Sequence, residues 1–262
     1  MCNYWSSPRV SIMKKVFFTL FLIINFISAS LSASIDQINQ AIDIKTYKFT
    51  FSKDEHFMVS YADYPVGEEK FYELKYEEGA LLPPEIVTHQ RGLMVSGNNH
   101  SDDLFMYAYK KLEGLKPNST YKVSFSLELA SNATYESIGV GGSPGESVYV
   151  KIGVVSQPPE RDIDLGNYYR MKLDKGEQST DGQNMILIGT VGVDTQDSLY
   201  RLKTLPYQPN EEMQKKIDNY SFTTNEKGEA WLVFGTDSGY ESTTTLYYTN
   251  VIATFKEIQG NA

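Results

Sequence analysis

The chain has 262 residues, a net charge of −9, a single cysteine and an aromatic content of 13%, led by 19 tyrosines. Because a chain of this acidity gains nothing from contact with phosphate backbones, the composition argues against nucleic acid as a partner. The length is enough for one domain to bury a sizeable core without disulfides.

The first predicted element is a bacterial-type secretory leader at residues 13–33. It has a charged start, an apolar run over residues 16–27 and a tail of small residues. The run is shorter than the roughly 20 residues that span a bilayer, so we expect cleavage after Ala33 and no membrane anchor afterwards. Residues 1–12 then precede the true start at Met13 and are interpreted as a mis-assigned beginning.

Removal of the leader defines a single predicted domain, residues 34–262. The only cysteine, Cys2, is lost, so this domain has neither a disulfide nor thiol chemistry. The removed segment contains three basic residues and no acid, so the domain is more acidic than the whole chain. The working protein is expected outside the cytoplasm, in the periplasm or the medium.

Alternation of apolar and polar residues predicts that most of this domain is β-strand. In the clearest case, Tyr121–Leu129, five apolar residues face one way and four polar residues face the other. Turn-forming residues separate the runs. Similar runs occur at residues 47–51, 57–61, 71–76, 104–110, 148–155, 185–191, 230–234 and 244–255.

Helical character is confined to two short segments, Ser34–Ile44 and Asn210–Ile217, and neither is large enough to build a core. No internal repeat is present that would favour a propeller. The sequence therefore predicts an all-β fold, a two-sheet β-sandwich of jelly-roll type with one or two short helices.

The segment Leu112–Tyr121 resembles a corner found in many β-sandwiches. It contains a Leu-x-Pro turn followed by a tyrosine that opens a strand. In such corners the phenol hydrogen-bonds back to the turn. Galactose-binding-like carbohydrate-binding modules often carry this corner, and the predicted strand that ends at Phe255 resembles their last core strand. This resemblance implies a fold but no function, because one fold carries many functions.

Five stretches are too polar, too glycine-rich or too acidic to be plain strands, and a site is expected among them. As a set they resemble motifs of an uncharacterised family of secreted bacterial proteins, which implies no particular activity. The glycines of the third stretch are expected to let the backbone pass close to a ligand or to a neighbouring loop. The five polar stretches are residues 62–69, 96–103, 139–147, 173–179 and 235–242.

His100, Asp102 and Asp103 form the sharpest local cluster. An imidazole beside carboxylates can serve as a general base or as a metal ligand. The alternative is a polar turn that caps a strand, with His100 hydrogen-bonded to a neighbouring backbone group.

No cofactor is expected, and the alternative is a structural calcium ion. The histidine and cysteine patterns that bind zinc are missing from the sequence. Calcium takes carboxylate and carbonyl oxygens from irregular loops, and Asp102, Asp103, Asp237 and Glu241 could converge on one ion. The alternative is that these acids are solvated.

The preferred interpretation is an exported binding module for a polar small molecule or glycan, most plausibly a carbohydrate. Tyrosine rings stack on sugar faces, while amides and carboxylates bond to sugar hydroxyls. For any single tyrosine the alternative is a place in the core. The predicted ligand-binding residues are Asn98, Asn99, His100, Asp102, Asp103, Glu146, Asp237, Tyr240 and Glu241.

Two other functions are left open by the sequence. The domain could be an envelope or surface protein whose acidic face binds a protein partner. A hydrolase is less expected, with His100 or Glu146 as the base and Asp103 as its partner, because some acids pair by chance in so acidic a chain. The sequence therefore favours a non-catalytic function and assigns no catalytic residue.

Overall fold

The computed structural model describes residues 44–51, 55–86, 90–194 and 197–258. The predicted start at residues 1–12, the leader at 13–33 and residues 34–43 of the first predicted helix lie outside these ranges. The elements are β1 (Ile44–Phe49), β2 (Met58–Ala62), β3 (Tyr64–Pro65), β4 (Lys75–Leu81), β5 (Arg91–Asn98), β6 (Leu104–Leu112), β7 (Thr120–Ser131), β8 (Val148–Val155), β9 (Arg161–Ile163), β10 (Tyr168–Met171), β11 (Met185–Thr190), β12 (Arg201–Leu205), α1 (Glu211–Asn219), β13 (Ser221–Thr223), β14 (Ala230–Ser238) and β15 (Thr243–Glu257).

The first sheet is built on the two longest strands, β7 and β15. They run antiparallel from the pair Tyr247–Ala130 to the pair Glu257–Tyr121, with a bulge after Tyr248. The strand order is β12-β7-β15-β5-β4, and β13 and β1 pair with β7 and β15 respectively. Every strand of this sheet except β4 therefore pairs with β7 or β15.

The second sheet has five strands in the order β11-β8-β14-β6-β2, and a small third sheet has the order β3-β10-β9. The central strand β14 pairs antiparallel with β6 along its whole length, from Ala230 opposite Leu112 to Ser238 opposite Leu104. It also pairs with β8 from Trp231 to Ser238. This central position makes β14 the most enclosed strand of the sheet.

The core lies between the two larger sheets. The side chains that alternation along β7 predicted to be inside, such as Val123, Leu127 and Leu129, are buried there. Leu232 and Phe234 of β14 meet them from the other sheet. The prediction of an all-β, two-sheet sandwich is confirmed.

An aromatic cluster around Phe234 connects the sheets. The Phe234 ring centroid lies 4.9 Å from that of Tyr248 on β15, in an edge-on arrangement. It lies 5.7 Å from the centroid of Phe51 and 5.6 Å from that of Phe57. Such edge-on contacts add stabilisation beyond the burial of area, so this cluster is a strong part of the core.

The predicted tyrosine corner is confirmed. The backbone N–H of Lys116 donates to the phenol oxygen of Tyr121 at 2.9 Å. The Thr224 hydroxyl donates to the Lys116 carbonyl at 2.6 Å, which fastens the turn to the residues after β13.

The outer face of the second sheet is also covered. Phe105, Tyr107, Trp231 and Val233 form a separate buried cluster on that face. Met171 and Leu173, from the chain between β8 and β11, pack against it and cover it. All nine residues of β14 are buried as a result, including the polar residues at its end.

Several local predictions differ from the structure, and the strands β9, β10, β12 and β13 were not predicted. Residues 71–76 were predicted as a strand, but the chain turns there, with the Tyr72 N–H donating to the Glu68 carbonyl, and β4 begins only at Lys75. The strand β5 was missed because its sequence, with two glycines, does not alternate regularly. The strand predicted to end at Phe234 continues to Ser238, because its polar residues are buried rather than exposed.

The second predicted helix is confirmed as α1. Its N-cap residue Asn210 accepts a hydrogen bond from the Met213 N–H, which satisfies one of the free donors at the helix start. Ile217 anchors the helix in the core. Within the described ranges, no helix is both long enough and apolar enough to cross a membrane.

Candidate ligand-binding site

The five polar stretches meet at one end of the sandwich. The Asn99 side-chain amide donates to the carbonyls of Ser238 and Tyr240, at 2.7 and 3.0 Å, so the second stretch is joined to the fifth. The Ser101 hydroxyl donates to the Asp63 carbonyl at 2.9 Å and joins the second stretch to the first.

The remaining two stretches are attached in the same way. The Gln178 side chain donates to the Asp102 carbonyl at 2.7 Å, which joins the fourth stretch to the second. The Glu241 N–H donates to the Val140 carbonyl at 2.8 Å, which joins the fifth to the third. The sequence did not determine whether these loops converge, and tertiary hydrogen bonds now show that they do.

A set of charges that is buried at its centre lies under these loops, and we call it the charge cluster. Asp237 of β14 lies opposite Phe105 of β6, so Asp103, two residues before Phe105, projects from the same face of the sheet. Lys151 of β8 lies opposite Gly235, two residues before Asp237, and therefore shares that face. The other members are Asp63, Arg170 and Lys175.

Lys175 is at the centre of the charge cluster. Its Nζ lies 2.7 Å from Asp237 Oδ2, 3.2 Å from Asp63 Oδ2 and 3.9 Å from Asp103 Oδ1. Lys151, whose side chain is 0% exposed, lies 3.2 Å from the same Asp237 oxygen. One ammonium is therefore shared by three carboxylates, and the most buried carboxylate has two cations.

The edge of the charge cluster is closed by Arg170 of β10. Its Nη1 lies 2.9 Å from Asp63 Oδ1 and 3.2 Å from Asp103 Oδ2, while its Nε pairs with Asp164 at 3.0 Å. Lys151 also donates to the carbonyls of Lys175 and Thr180, at 2.7 and 2.9 Å. These bonds hold the covering loop against the sheet.

Burial and neighbouring charge shift the titration of this group. Burial, with the nearby Asp63 adding to it, raises the pKa of Asp103 to about 7. Burial acts to lower the pKa of Lys175, but Asp237 and Asp63 outweigh it and the net shift is upward. Burial lowers the pKa of Lys151, although Asp237 acts to raise it. Asp103 is thus the acid that titrates near neutral pH.

Substitution of Asp103 by asparagine should flatten the pH dependence of stability. The pKa of Asp103 is about 7 in the folded state, against the usual 3.8. The folded state therefore holds this proton more tightly than the unfolded state does. Asp103 consequently makes the free energy of unfolding fall as the pH rises from about 4 to about 7. In D103N that contribution is gone. The melting temperature of D103N minus that of wild type should be higher at pH 8 than at pH 4.5. An equal difference at both pH values would contradict this expectation.

The three carboxylates of the charge cluster also bear on metal binding. Oxygens of Asp63, Asp103 and Asp237 lie within 4.8 Å of one another, close enough to share an ion. The Lys175 ammonium lies among them, so a calcium ion there would have to displace it. Of the acids predicted for calcium, Asp103 and Asp237 belong to this cluster, while Asp102 and Glu241 flank Gly141.

Asn98, Asn99 and His100 follow one another and have separate surroundings. The Asn98 N–H donates to the Tyr72 carbonyl at 2.7 Å. Asn99 is 1% exposed and holds the loops together with its side chain. The His100 ring stacks on Phe71 at 4.2 Å between centroids, and no carboxylate of the described residues hydrogen-bonds to it.

The glycine-rich third stretch packs against Tyr240 and its neighbours. A Cβ built on Gly139 would lie 2.4 Å from the Tyr240 ring. One built on Gly141, where φ is +72°, would lie 2.1 Å from the Gly239 carbonyl oxygen. Only glycine allows this approach. Glu146, which follows in the same stretch, is exposed, and its N–H donates to the Ser143 carbonyl in a turn.

A pocket beside Tyr240 carries a different chemistry, and we call it the hydroxyl pocket. Its volume is about 250 Å³. It lies where β7 ends and β15 begins, and none of its lining residues is charged. The lining residues are Ser131, Asn132, Ala133, Thr134, Ser137, Pro144, Ser198, Tyr240, Thr243, Thr244, Thr245 and Leu246.

Of the predicted ligand-binding residues, Tyr240 lines the hydroxyl pocket, and Asp103 and Asp237 belong to the charge cluster. Sequence reasoning missed the basic members of that cluster, although Lys151 gave a signal as the one charge in the apolar strand 148–155. It also missed the pocket hydroxyls, whose signal was the run of serine and threonine at residues 242–245, which begins two residues after Tyr240.

Comparison with known proteins places the chain in no family. No family model matches it, and no curated protein does. Structural neighbours include carbohydrate-binding modules. One is TmCBM61 in complex with β-1,4-galactotriose, at 9% identity, covering 78% of this chain and 97% of that chain with a TM-score of 0.35.

Two further neighbours are equally distant. The xylan-binding domain CBM22-1 of Xyn10C from Paenibacillus barcinonensis is 9% identical and covers 82% of this chain and 94% of that chain, with a TM-score of 0.35. The K3 adhesin domain of Lys-gingipain from Porphyromonas gingivalis is 9% identical and covers 80% and 99%, with a TM-score of 0.34. Likenesses this distant do not say what this chain binds.

Proposed function

We propose that this chain is a binding module for a neutral carbohydrate and that the sugar lies in the hydroxyl pocket. The observation that carries the proposal is the lining of this pocket, which is rich in hydroxyls, includes one amide and has no charged side chain. Hydroxyls both donate and accept hydrogen bonds, as sugar hydroxyls do. A lining of this kind satisfies a neutral polar ligand and gives no counter-charge to an ion.

Tyr240 adds an aromatic surface to the pocket. A tyrosine ring offers an apolar face for a sugar ring, together with a hydroxyl that can bond at the rim. Its contact with Gly139 restricts the ring before any ligand arrives. Less side-chain freedom is then lost on binding, which favours affinity.

The size of the pocket limits what it holds. At about 250 Å³ it lies just below the usual range for small-molecule sites, which begins at about 300 Å³. A single sugar unit or the end of a chain fits this volume better than the middle of a long polymer. The predicted leader at residues 13–33 adds that binding would take place outside the cytoplasm.

Substitution of Tyr240 by alanine should weaken glycan binding at least about tenfold, the size expected for loss of a central aromatic contact. The purified protein is screened on a glycan array, and the best ligand is then titrated by calorimetry. Tyr76→Ala, which removes an exposed tyrosine from β4, is the matched control and should bind as wild type does.

Because Tyr240 also packs on Gly139, a second variant separates binding from folding. Thr243→Val removes an exposed hydroxyl of the pocket and keeps the shape and β-propensity of the side chain. It should bind more weakly while melting at the wild-type temperature. The proposal is wrong if the folded wild-type protein binds no glycan, or if both pocket variants bind as tightly as Tyr76→Ala.

A further inference from the structure

A second pocket lies beside the hydroxyl pocket, on the other side of one chain segment. It has a volume of about 430 Å³, and its lining includes Tyr135, Asp194, Arg201, Lys203 and Tyr207. We call it the Lys203 pocket. Unlike the hydroxyl pocket, it contains charged side chains.

The two pockets share a wall formed by neighbouring residues. Thr134 lines the hydroxyl pocket and Tyr135 lines the Lys203 pocket. This wall is held in place by a parallel bridge between Thr134 and Val193 and by the Val193 N–H, which donates to the Ala133 carbonyl at 2.9 Å.

Lys203 extends from β12 of the first sheet toward the chain that follows β11 of the second sheet. Its Nζ donates to the Tyr135 hydroxyl oxygen at 2.6 Å and to the carbonyls of Thr190 and Gly192 at 2.9 and 2.5 Å. All of these acceptors are uncharged. These three bonds use the three N–H donors of the ammonium, and none of the acceptors supplies a counter-charge.

Arg201 differs from Lys203 because it has an ion-pair partner. Arg201 also lines the pocket, but its guanidinium pairs with Asp197 at 3.1 Å. Among the described residues, no carboxylate lies within ion-pair distance of Lys203. Burial lowers the pKa of Lys203 to about 8, which is the direction expected when an ammonium is desolvated without an acid beside it.

Asp194 also lines this pocket but makes no ion pair with Lys203, so the ammonium can still attract an anion. Tyr135 accepts from Lys203 through its oxygen, and its O–H is itself a hydrogen-bond donor. Tyr207 is 60% exposed and offers a second phenol at the pocket rim. Oxyanions bond well to such a combination of an ammonium and hydroxyl donors.

We propose that the Lys203 pocket binds an anionic group, a carboxylate or a sulfate, which accepts hydrogen bonds from the phenols of Tyr135 and Tyr207 and is attracted by the charge of the Lys203 ammonium behind Tyr135. The site is separate from the neutral-sugar site and does not rest on it. The same chemistry is carried by free oxyanions and by acidic sugars, and the probes below distinguish these sources.

The test follows the Lys203 ammonium directly in wild-type protein labelled with carbon-13 at the lysine ε-carbons. Its resonance is assigned by its loss in Lys203→Arg. Sodium sulfate, sodium glucuronate and glucose are titrated at constant ionic strength. At saturation with sulfate or glucuronate the pKa of Lys203 should rise by about one unit, as expected for an opposite charge within a few ångströms. Glucose should leave the pKa unchanged.

The relative affinities identify the source of the anion. Saturation by glucuronate at a lower concentration than sulfate would assign the site to an acidic sugar, and equal affinity would assign it to oxyanions in general. The proposal is overturned if neither anion moves the Lys203 resonance, or if glucose moves it as much.

Variants add a second measurement by calorimetry. Lys203→Met, which keeps the side-chain length, should bind the anion at least about tenfold more weakly, whereas Lys203→Arg keeps a cation and should retain binding. Lys122→Met removes an exposed lysine from the neighbouring strand β7 and should have no effect. Folded Lys203→Met with wild-type affinity would overturn the proposal. If that variant does not fold, the wild-type titration decides alone. Tyr240→Ala should leave anion binding unchanged. A failure of the proposal for the hydroxyl pocket can therefore be distinguished from a failure of the proposal for the Lys203 pocket.

Discussion

Replacement of Lys175 by methionine is expected to lower the free energy of unfolding by about 3–5 kcal/mol at pH 8, the range for breaking a buried ion pair on one side. Methionine keeps the length and the apolar stem and removes only the ammonium. Asp237, which is 0% exposed, then loses its partner at 2.7 Å. The cation left beside it is Lys151, whose own charged form is disfavoured by burial.

This loss should depend on pH in a defined direction. Lys175 acts to lower the pKa of Asp103, so without Lys175 the pKa of this carboxyl should rise further in the folded state. An acid with a raised folded pKa destabilises the protein as the pH rises through that range. The effect of K175M should therefore be smaller at pH 5 than at pH 8, as measured by urea unfolding at both pH values.

Two comparisons show whether the ion pair is the cause. Lys172→Met removes a half-exposed lysine from the same covering segment and should change stability by less than about 0.5 kcal/mol. The double variant Lys175→Met/Asp237→Asn removes both charges and should cost less than the sum of the two single changes. If K175M were as stable as Lys172→Met, the charge cluster would not contribute as described.

Replacement of Phe234 by alanine is expected to lower the free energy of unfolding by about 3–5 kcal/mol, the range for a large-to-small change in a core. Phe234 is 0% exposed and contacts Phe51, Phe57 and Tyr248. The substitution therefore leaves a cavity in the layer between the two sheets. Chemical denaturation measures the loss, with the slope against denaturant used to check that unfolding remains two-state.

The matched control is again Tyr76→Ala, because Tyr76 is 56% exposed on β4. It should alter stability by no more than about 0.5 kcal/mol. Phe234→Leu retains most of the side-chain volume, so its loss in free energy of unfolding should lie between those of Phe234→Ala and Tyr76→Ala. If Phe234→Ala and Tyr76→Ala had equal effects, Phe234 would not lie in the core between the sheets.

Much of the fold could be predicted because alternation along a strand is a local property. β7 has a regular apolar face, and its observed bounds, Thr120–Ser131, enclose the predicted Tyr121–Leu129. β8 was predicted with the bounds that it has in the structure. The tyrosine corner was found from the Leu-x-Pro turn and the tyrosine because all of its parts lie within ten residues.

Strands whose environment is unusual could not be predicted in this way. β14 is buried on both faces, so the polar residues that end it looked like a loop in the sequence. β5 has glycines where strands usually carry side chains. Gly92 is required there because a Cβ would lie 2.7 Å from the Tyr248 carbonyl oxygen of the adjacent strand. That contact exists only after β5 and β15 have paired.

The candidate site shows the same division. Sequence reasoning selected Asp103, Asp237 and Tyr240 because they interrupt the alternation of strands. It could not join Asp237 to Lys175, 62 residues earlier, or Arg170 to Asp63, 107 residues earlier. Those pairs depend on strand register and on the loop that covers the second sheet.

Residue type and spacing act over a few neighbours, so they were enough to predict the fold class, the position of many strands and which loops are polar. Tertiary structure decided that Lys175 lies among three carboxylates, that Tyr240 borders an uncharged pocket and that Lys203 has no ion-pair partner among the described residues. The physical reason is that the free energy of a charge or a hydroxyl depends on its burial and its partners. Both are set by residues far away in the chain.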